Sequence, residues 1–162
     1  MDMGTFKDLK VYKRAFAQAM EIFHISKEFP PEEKYSLTDQ IRRSSRSICV
    51  NLAEAYRKRQ YEAHFVSKLS DCDAENSETL VWLDFAHASN YIKVETYQHL
   101  YQSAEEIGRM LNDMLSNPKS ISAFCRRNNW QLPVCHLQGQ LQMFCNRQFG
   151  VCHLQGKTSI AN

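Results

Sequence analysis

The chain has 162 residues, 43% of them hydrophobic, a formal charge of +2, and no apolar run approaching the roughly 18–20 residues of a membrane span. That length and apolar content fit one domain with a real core and exclude a helical membrane anchor. The charge is divided: residues 1–117 hold 15 Lys and Arg and all 18 acids, whereas residues 118–162 hold five cations and no acid. The start, MDMGTFKDLK, has neither a basic n-region nor an apolar h-region, so a cytoplasmic chain is expected.

The first predicted helix runs from about Phe6 to Phe29. Leu9, Tyr12, Phe16, Ala19 and Phe23 recur at spacings of 3, 4, 3 and 4, which predicts that this seam is buried in a bundle. Pro30-Pro31 is expected to end it, because proline lacks an amide hydrogen and biases the preceding residue away from helix.

The second helix is expected to open at a Ser36 cap, with Asp39 set against the helix dipole, and to reach Arg59. At about 100° per residue, Ile41, Ile48, Leu52 and Ala55 share one stripe. Arg42, Arg43, Arg46 and Arg57 fall within roughly 100° of each other on the opposite side. Guanidinium groups stay charged and make two parallel hydrogen bonds to phosphate, so this face points to an anionic partner, nucleic acid first. Lys58 and Arg59 extend the cluster, and Tyr56 or Tyr61 is placed to stack on an unpaired base. The competing reading is a solvated face that pairs with acids on neighbouring helices.

The third helix is predicted from Tyr61 to about Ala88, with Phe65, Leu69, Cys72, Thr79, Leu83 and Ala86 as its seam. Asn76 interrupts that seam, as a polar residue that fixes register does. Ser89-Asn90 stops the helix. Its acidic run of Asp71, Asp73, Glu75 and Glu78 reads as a solvated face, or as a lateral partner for arginines of a neighbouring subunit. The fourth helix is predicted from Val94 to Ser116, with Tyr97, Leu100, Tyr101, Ala104, Ile107, Leu111 and Met114 inward and Asn117-Pro118 closing it. Short connections between long helices imply an all-α, antiparallel up-down-up-down four-helix bundle over residues 1–117. Val11, Ile22, Val50, Val81 and Trp82 lie outside these seams and are expected at subunit contacts.

Residues 118–162 read as a basic, irregular, mobile extension. Val134-Cys135-His136-Leu137-Gln138-Gly139 recurs unchanged as Val151-Cys152-His153-Leu154-Gln155-Gly156. Cys and His beside basic residues raise a zinc knuckle, but no Cys-x-x-Cys occurs and adjacent Cys-His pairs supply one ion poorly. Within the bundle, Glu21-x-x-His24 and Asp84-x-x-His87 have the spacing of di-metal bundles. Glu21 and His24 turn away from the helix 1 seam, so no metal and no cofactor are expected. No nucleophile elbow or glycine-rich phosphate loop is present, and the chain does not read as an enzyme.

Phe6, Asp8-Leu9 and Val11-Tyr12, followed by Tyr35-x-Leu37-Thr38-x-Gln40-Ile41-Arg42-Arg43, Ser47-Ile48, Asn51, Ala53-Glu54 and Arg57-x-Arg59, resemble a known signature. It is that of the four-helix-bundle proteins encoded in intervening sequences of bacterial large-subunit ribosomal RNA genes. The accessory variability determinant proteins of diversity-generating retroelements are similar relatives. The resemblance implies a homopentamer with a basic surface, nucleic-acid binding and, in the retroelement branch, a reverse transcriptase partner. By position it makes Arg42, Arg43, Arg57 and Arg59 candidate contacts. Arg46 and Ala55 depart from the family pattern. The expected function is therefore a non-catalytic, oligomeric nucleic-acid-binding bundle. Its rivals are an adaptor docking on a polymerase-type protein and a purely structural oligomer.

Overall fold

Leu37 begins a long amphipathic pattern, and the computed structural model, which describes residues 5–118, makes it the start of a 22-residue helix. Four α-helices follow in order: α1 (Lys10–Ile25), α2 (Leu37–Lys58), α3 (Glu62–Ala88) and α4 (Val94–Ser116). Short 3-10 turns at Phe6–Asp8 and Pro31–Glu33 precede α1 and α2. Each helix packs on its sequence neighbours and α4 returns against α1. The described residues contain no strand.

Two apolar clusters fill the interior. Val11, Ala15, Ile48, Leu52, Phe65, Leu69, Cys72, Ile107 and Leu111 form one. Ile22, Phe29, Leu37, Ile41, Leu83, Ala86, Ile92 and Leu100 form the other. The first draws on the start of α1 and α3 and the end of α2 and α4, the second on the opposite ends. That alternation is the up-down-up-down order expected from the short connections. Between the clusters lies a buried polar layer of Gln18, Ser44, Ser45, Asn76, Thr79 and Ser103. Gln18 donates to the Leu100 carbonyl at 3.0 Å and Asn76 to the Ala104 carbonyl at 3.0 Å. Both amides thus bond successive turns of α4.

Helix α1 corrects the sequence reading. Its buried residues are Val11, Ala15, Gln18, Ala19 and Ile22. Of the expected seam only Ala19 is buried, while Phe16 is 52% exposed. The core stripe lies about 100° round the helix from the aromatic one. The aromatic stripe is the louder signal, but the inner stripe is smaller because it packs closely against α2 and α4. Val11 and Ile22, expected at subunit contacts, are core residues at 3% and 0% exposure. Val50 and Val81 remain exposed and Trp82 is half-buried.

The termini also differ in detail. Helix α1 stops at Ile25, ahead of the prolines, where the Ser26 hydroxyl donates to the Phe23 carbonyl at 3.2 Å. Ser36 gives α2 no side-chain cap. Glu33 does that work: its carboxylate accepts from the Leu37 amide at 3.3 Å and from the Ser36 hydroxyl. These contacts, Ser36 first, hold the Glu33 carboxyl below its ordinary range. Helix α3 ends as expected at Ser89-Asn90. Asn90 adopts a φ of 60°, and the Tyr91 and Asn90 amides close back on Ala86 and His87, the Schellman pattern that asparagine tolerates. The expectations for the basic extension and its repeated motif fall, from residue 119 on, outside the described residues.

Candidate nucleic-acid interface

The inward stripe of α2 is as read: Ile41, Ile48, Leu52 and Ala55 are all 1% exposed or less. Burying it turns Arg43, Arg46, Arg57 and Lys58 to the surface, with Arg42 half-buried at the edge of the same face. Arg42 is held in place. Its Nε donates to Ser26 Oγ at 2.7 Å, and its guanidinium lies 5.2 Å from the Phe23 ring centre. Arg46 sits over the same ring at 5.4 Å. A ring face attracts a guanidinium and leaves its in-plane donors turned outward, which is how stacked arginines present a fork to a ligand.

Arg59 departs from this face. It is 8% exposed, stacks at 4.0 Å on the Tyr56 ring and donates to the Tyr56 carbonyl. The signal was in the spacing: 59 lies 18 residues, five full turns, beyond Ile41 and so points the same way. Tyr56 is itself buried, which leaves Tyr61, at 67% exposed, as the aromatic beside the basic end of α2.

Two of the acids available to neutralise the row engage elsewhere. Lys68 on α3 bonds Glu54 at 3.0 Å and Asp71 at 3.1 Å, and these contacts raise its pKa. Glu75 feels Arg43, but partial burial and the Glu78 charge outweigh it and raise the Glu75 pKa. Charge is therefore sorted by helix. With histidine neutral, α1 and α2 carry net charges of +2 and +3, while α3 and α4 carry −5 and −3. The bundle has a positive and a negative side that its small net charge conceals.

An open groove of about 480 Å³ lies between α1 and α2, lined by Phe6, Tyr12, Cys49, Val50, Ala53, Glu54, Arg57 and Lys58. Sequence reasoning missed it because it assigned Tyr12 to the core. Among the described residues the two thiols carry no sign of nucleophilic activation: burial pushes Cys49 up to about 11 and Cys72 up to about 12. Neither carboxylate-x-x-His pair assembles a site. Glu21 bonds His99 at 3.0 Å, Asp84 accepts from the Tyr97 hydroxyl at 2.8 Å, and His87 stacks on Tyr97. Among the described residues no three His, Cys, Asp or Glu side chains converge as metal ligands. No helix there is long and apolar enough to cross a membrane.

Fold and surface together define a four-helix bundle with a cationic face on its second helix. Residues 7–113 match the family described as 23S rRNA-intervening sequence protein, and the chain belongs to that family. A solved structure from Bacteroides thetaiotaomicron VPI-5482, of a protein with unknown function from the S23 ribosomal protein family, is similar at 30% identity and a TM-score of 0.60. The likeness covers 65% of this chain and 95% of that one. No curated protein matches the chain. The match names the ribosomal RNA branch of the resemblance and not the retroelement branch.

Proposed function

We propose that this protein is a non-catalytic, oligomeric nucleic-acid-binding bundle that grips phosphates with the outer face of α2. One observation carries the reading: Arg42, Arg43, Arg46 and Arg57 stand on one face of a single helix, with Lys58 on its flank, while Glu54 and Asp71 are engaged with Lys68. Phosphate contacts give affinity without base identity, so the expected ligand is single-stranded or structured RNA bound with little sequence preference. Tyr61 supplies a stacking surface at the end of the row. Arg59 is left out of the contact set because it is built into the fold. The homopentamer implied by the resemblance multiplies the field of one face around an axis, which a bundle of opposed sides needs in order to bind tightly.

The test compares wild type with Arg42→Gln/Arg43→Gln for binding to a labelled single-stranded RNA across a salt series. The double variant is expected to bind more weakly on every sequence and to flatten the salt slope by roughly 0.7–0.9 per lost phosphate contact. Equal affinities and equal slopes overturn the reading. Loss of a protein partner from a pull-down, with RNA binding untouched, favours the adaptor alternative instead.

A further inference from the structure

Three cations crowd one aromatic ring at the C-terminal end of α1. Lys27 Nζ lies 4.6 Å from the Phe23 ring centre, the Arg42 guanidinium 5.2 Å and the Arg46 guanidinium 5.4 Å. A ring has two faces to offer a cation, and this one serves three. Arg42 and Arg46 also stand four residues apart on α2, a spacing at which like charges repel. Among the described residues none of the three forms an ion pair with a carboxylate. Glu21 is bonded to His99, Glu33 accepts from the Leu37 amide, and Glu28, next to Lys27, is exposed and pairs with none of them.

The cluster is anchored at its inner edge. Ser26 is 2% exposed; its hydroxyl accepts from Arg42 Nε at 2.7 Å and donates to the Phe23 carbonyl at 3.2 Å. That bond takes Nε and leaves the terminal guanidinium nitrogens of Arg42 to donate to a ligand. Lys27 and Arg46 are exposed, so the approach from solvent is open.

Positive charge gathered in this way is unfavourable until an anion joins it, and the number of cations selects the anion. An internal phosphodiester brings one negative charge. A phosphate monoester brings about −1.5 to −2 at pH 7 and three strong acceptor oxygens, one for each cation. The place of the cluster agrees. Arg42 and Arg46 lie toward the N-terminal end of the α2 row, and Arg57, at the other end, is roughly 16 Å further along the helix. A strand laid along the row has room to set its terminus at the cluster.

We infer that Lys27, Arg42 and Arg46 form a receptor for a phosphate monoester, the terminal phosphate of a bound RNA. This rests on the phosphate reading of α2 and adds to it a preference for a phosphorylated end. Lys27, which lies off the α2 row, is the residue that separates the two.

Fluorescence anisotropy on the full-length protein tests it, with one internally labelled single-stranded RNA that carries a 5′-phosphate, a 3′-phosphate or hydroxyls at both ends. A phosphorylated end is expected to tighten wild-type binding by about tenfold, the size of one hydrogen bond to a charged group. Lys27→Gln and Arg46→Gln, both at exposed positions, should each bring the ratio of phosphorylated to unphosphorylated affinity toward one. Arg57→Gln should weaken all three RNAs alike and leave that ratio as in wild type. A preference that survives both Lys27→Gln and Arg46→Gln overturns the receptor. Thermal melts with adenosine 5′-monophosphate or adenosine supply the arm without RNA. If phosphorylated ends add nothing and the nucleotide raises the melting temperature no more than adenosine does, the receptor is overturned, while the α2 reading stands or falls on its own salt slope. Stabilisation by the nucleotide alone, lost in Lys27→Gln and with no preference among RNA ends, keeps the receptor and makes a free monoester its ligand.

Discussion

Two arginines two positions apart in the sequence have different fates, and the difference is angular. Arg57 projects from the exposed side of α2, whereas Arg59 sits just past the helix end, in line with the buried stripe and against Tyr56. Arg59→Ala is expected to cost about 1–3 kcal/mol in denaturant unfolding, through lost packing and a lost hydrogen bond, while leaving the RNA affinity of the folded fraction unchanged. Arg43→Gln is expected to stay within about 0.5 kcal/mol, because it is exposed and its salt-bridge worth is small. Glu33 gives a pH signature. Its folded pKa lies below its ordinary 4.5, so the stability it adds is present above that pH and is lost as the pH falls through the folded value. Glu33→Gln should therefore melt below wild type at neutral pH, with the gap closing in acid; a gap independent of pH would remove Glu33 as the cap.

Among the elements, α2, α3 and α4 were legible in the sequence and α1 was legible only in part. The buried residues Phe65, Leu69, Cys72, Thr79, Leu83 and Ala86 of α3 match the seam read from spacing. The same rule chose the wrong stripe on α1, because periodicity reports that a face is apolar and not what covers it. Where a helix has two apolar faces, the one with larger side chains dominates the pattern, even though a crowded bundle interior prefers Ala15 and Ala19. Phe16→Ser should consequently shift unfolding by less than about 0.5 kcal/mol, while Ile22→Ala costs about 2–5 kcal/mol. Comparable losses from both would restore the aromatic seam to the core. Ends were the least legible part: Pro30-Pro31 and Ser36 mark where a helix cannot continue or can begin, but Ser26 and Glu33, through specific hydrogen bonds, fix where α1 ends and α2 begins.

At the scale of the whole molecule, a sequence charge near neutrality hides two opposed sides, and the RNA reading rests on that polarity. The cationic row on α2 was legible from helical angles alone, and the acidic run of α3 was likewise read as a solvated face; the groove beside the row required the fold, because the sequence placed Tyr12 in the core. The RNA reading has a direct physical consequence, because each neutralised phosphate releases condensed counterions. The decisive measurement is the dissociation constant of the wild-type protein for a single-stranded RNA at a series of salt concentrations. A log–log plot is expected to fall in a straight line, with a slope of about −0.7 for each phosphate engaged and a total set by three or more contacts. Affinity that does not change with salt would contradict phosphate gripping by α2.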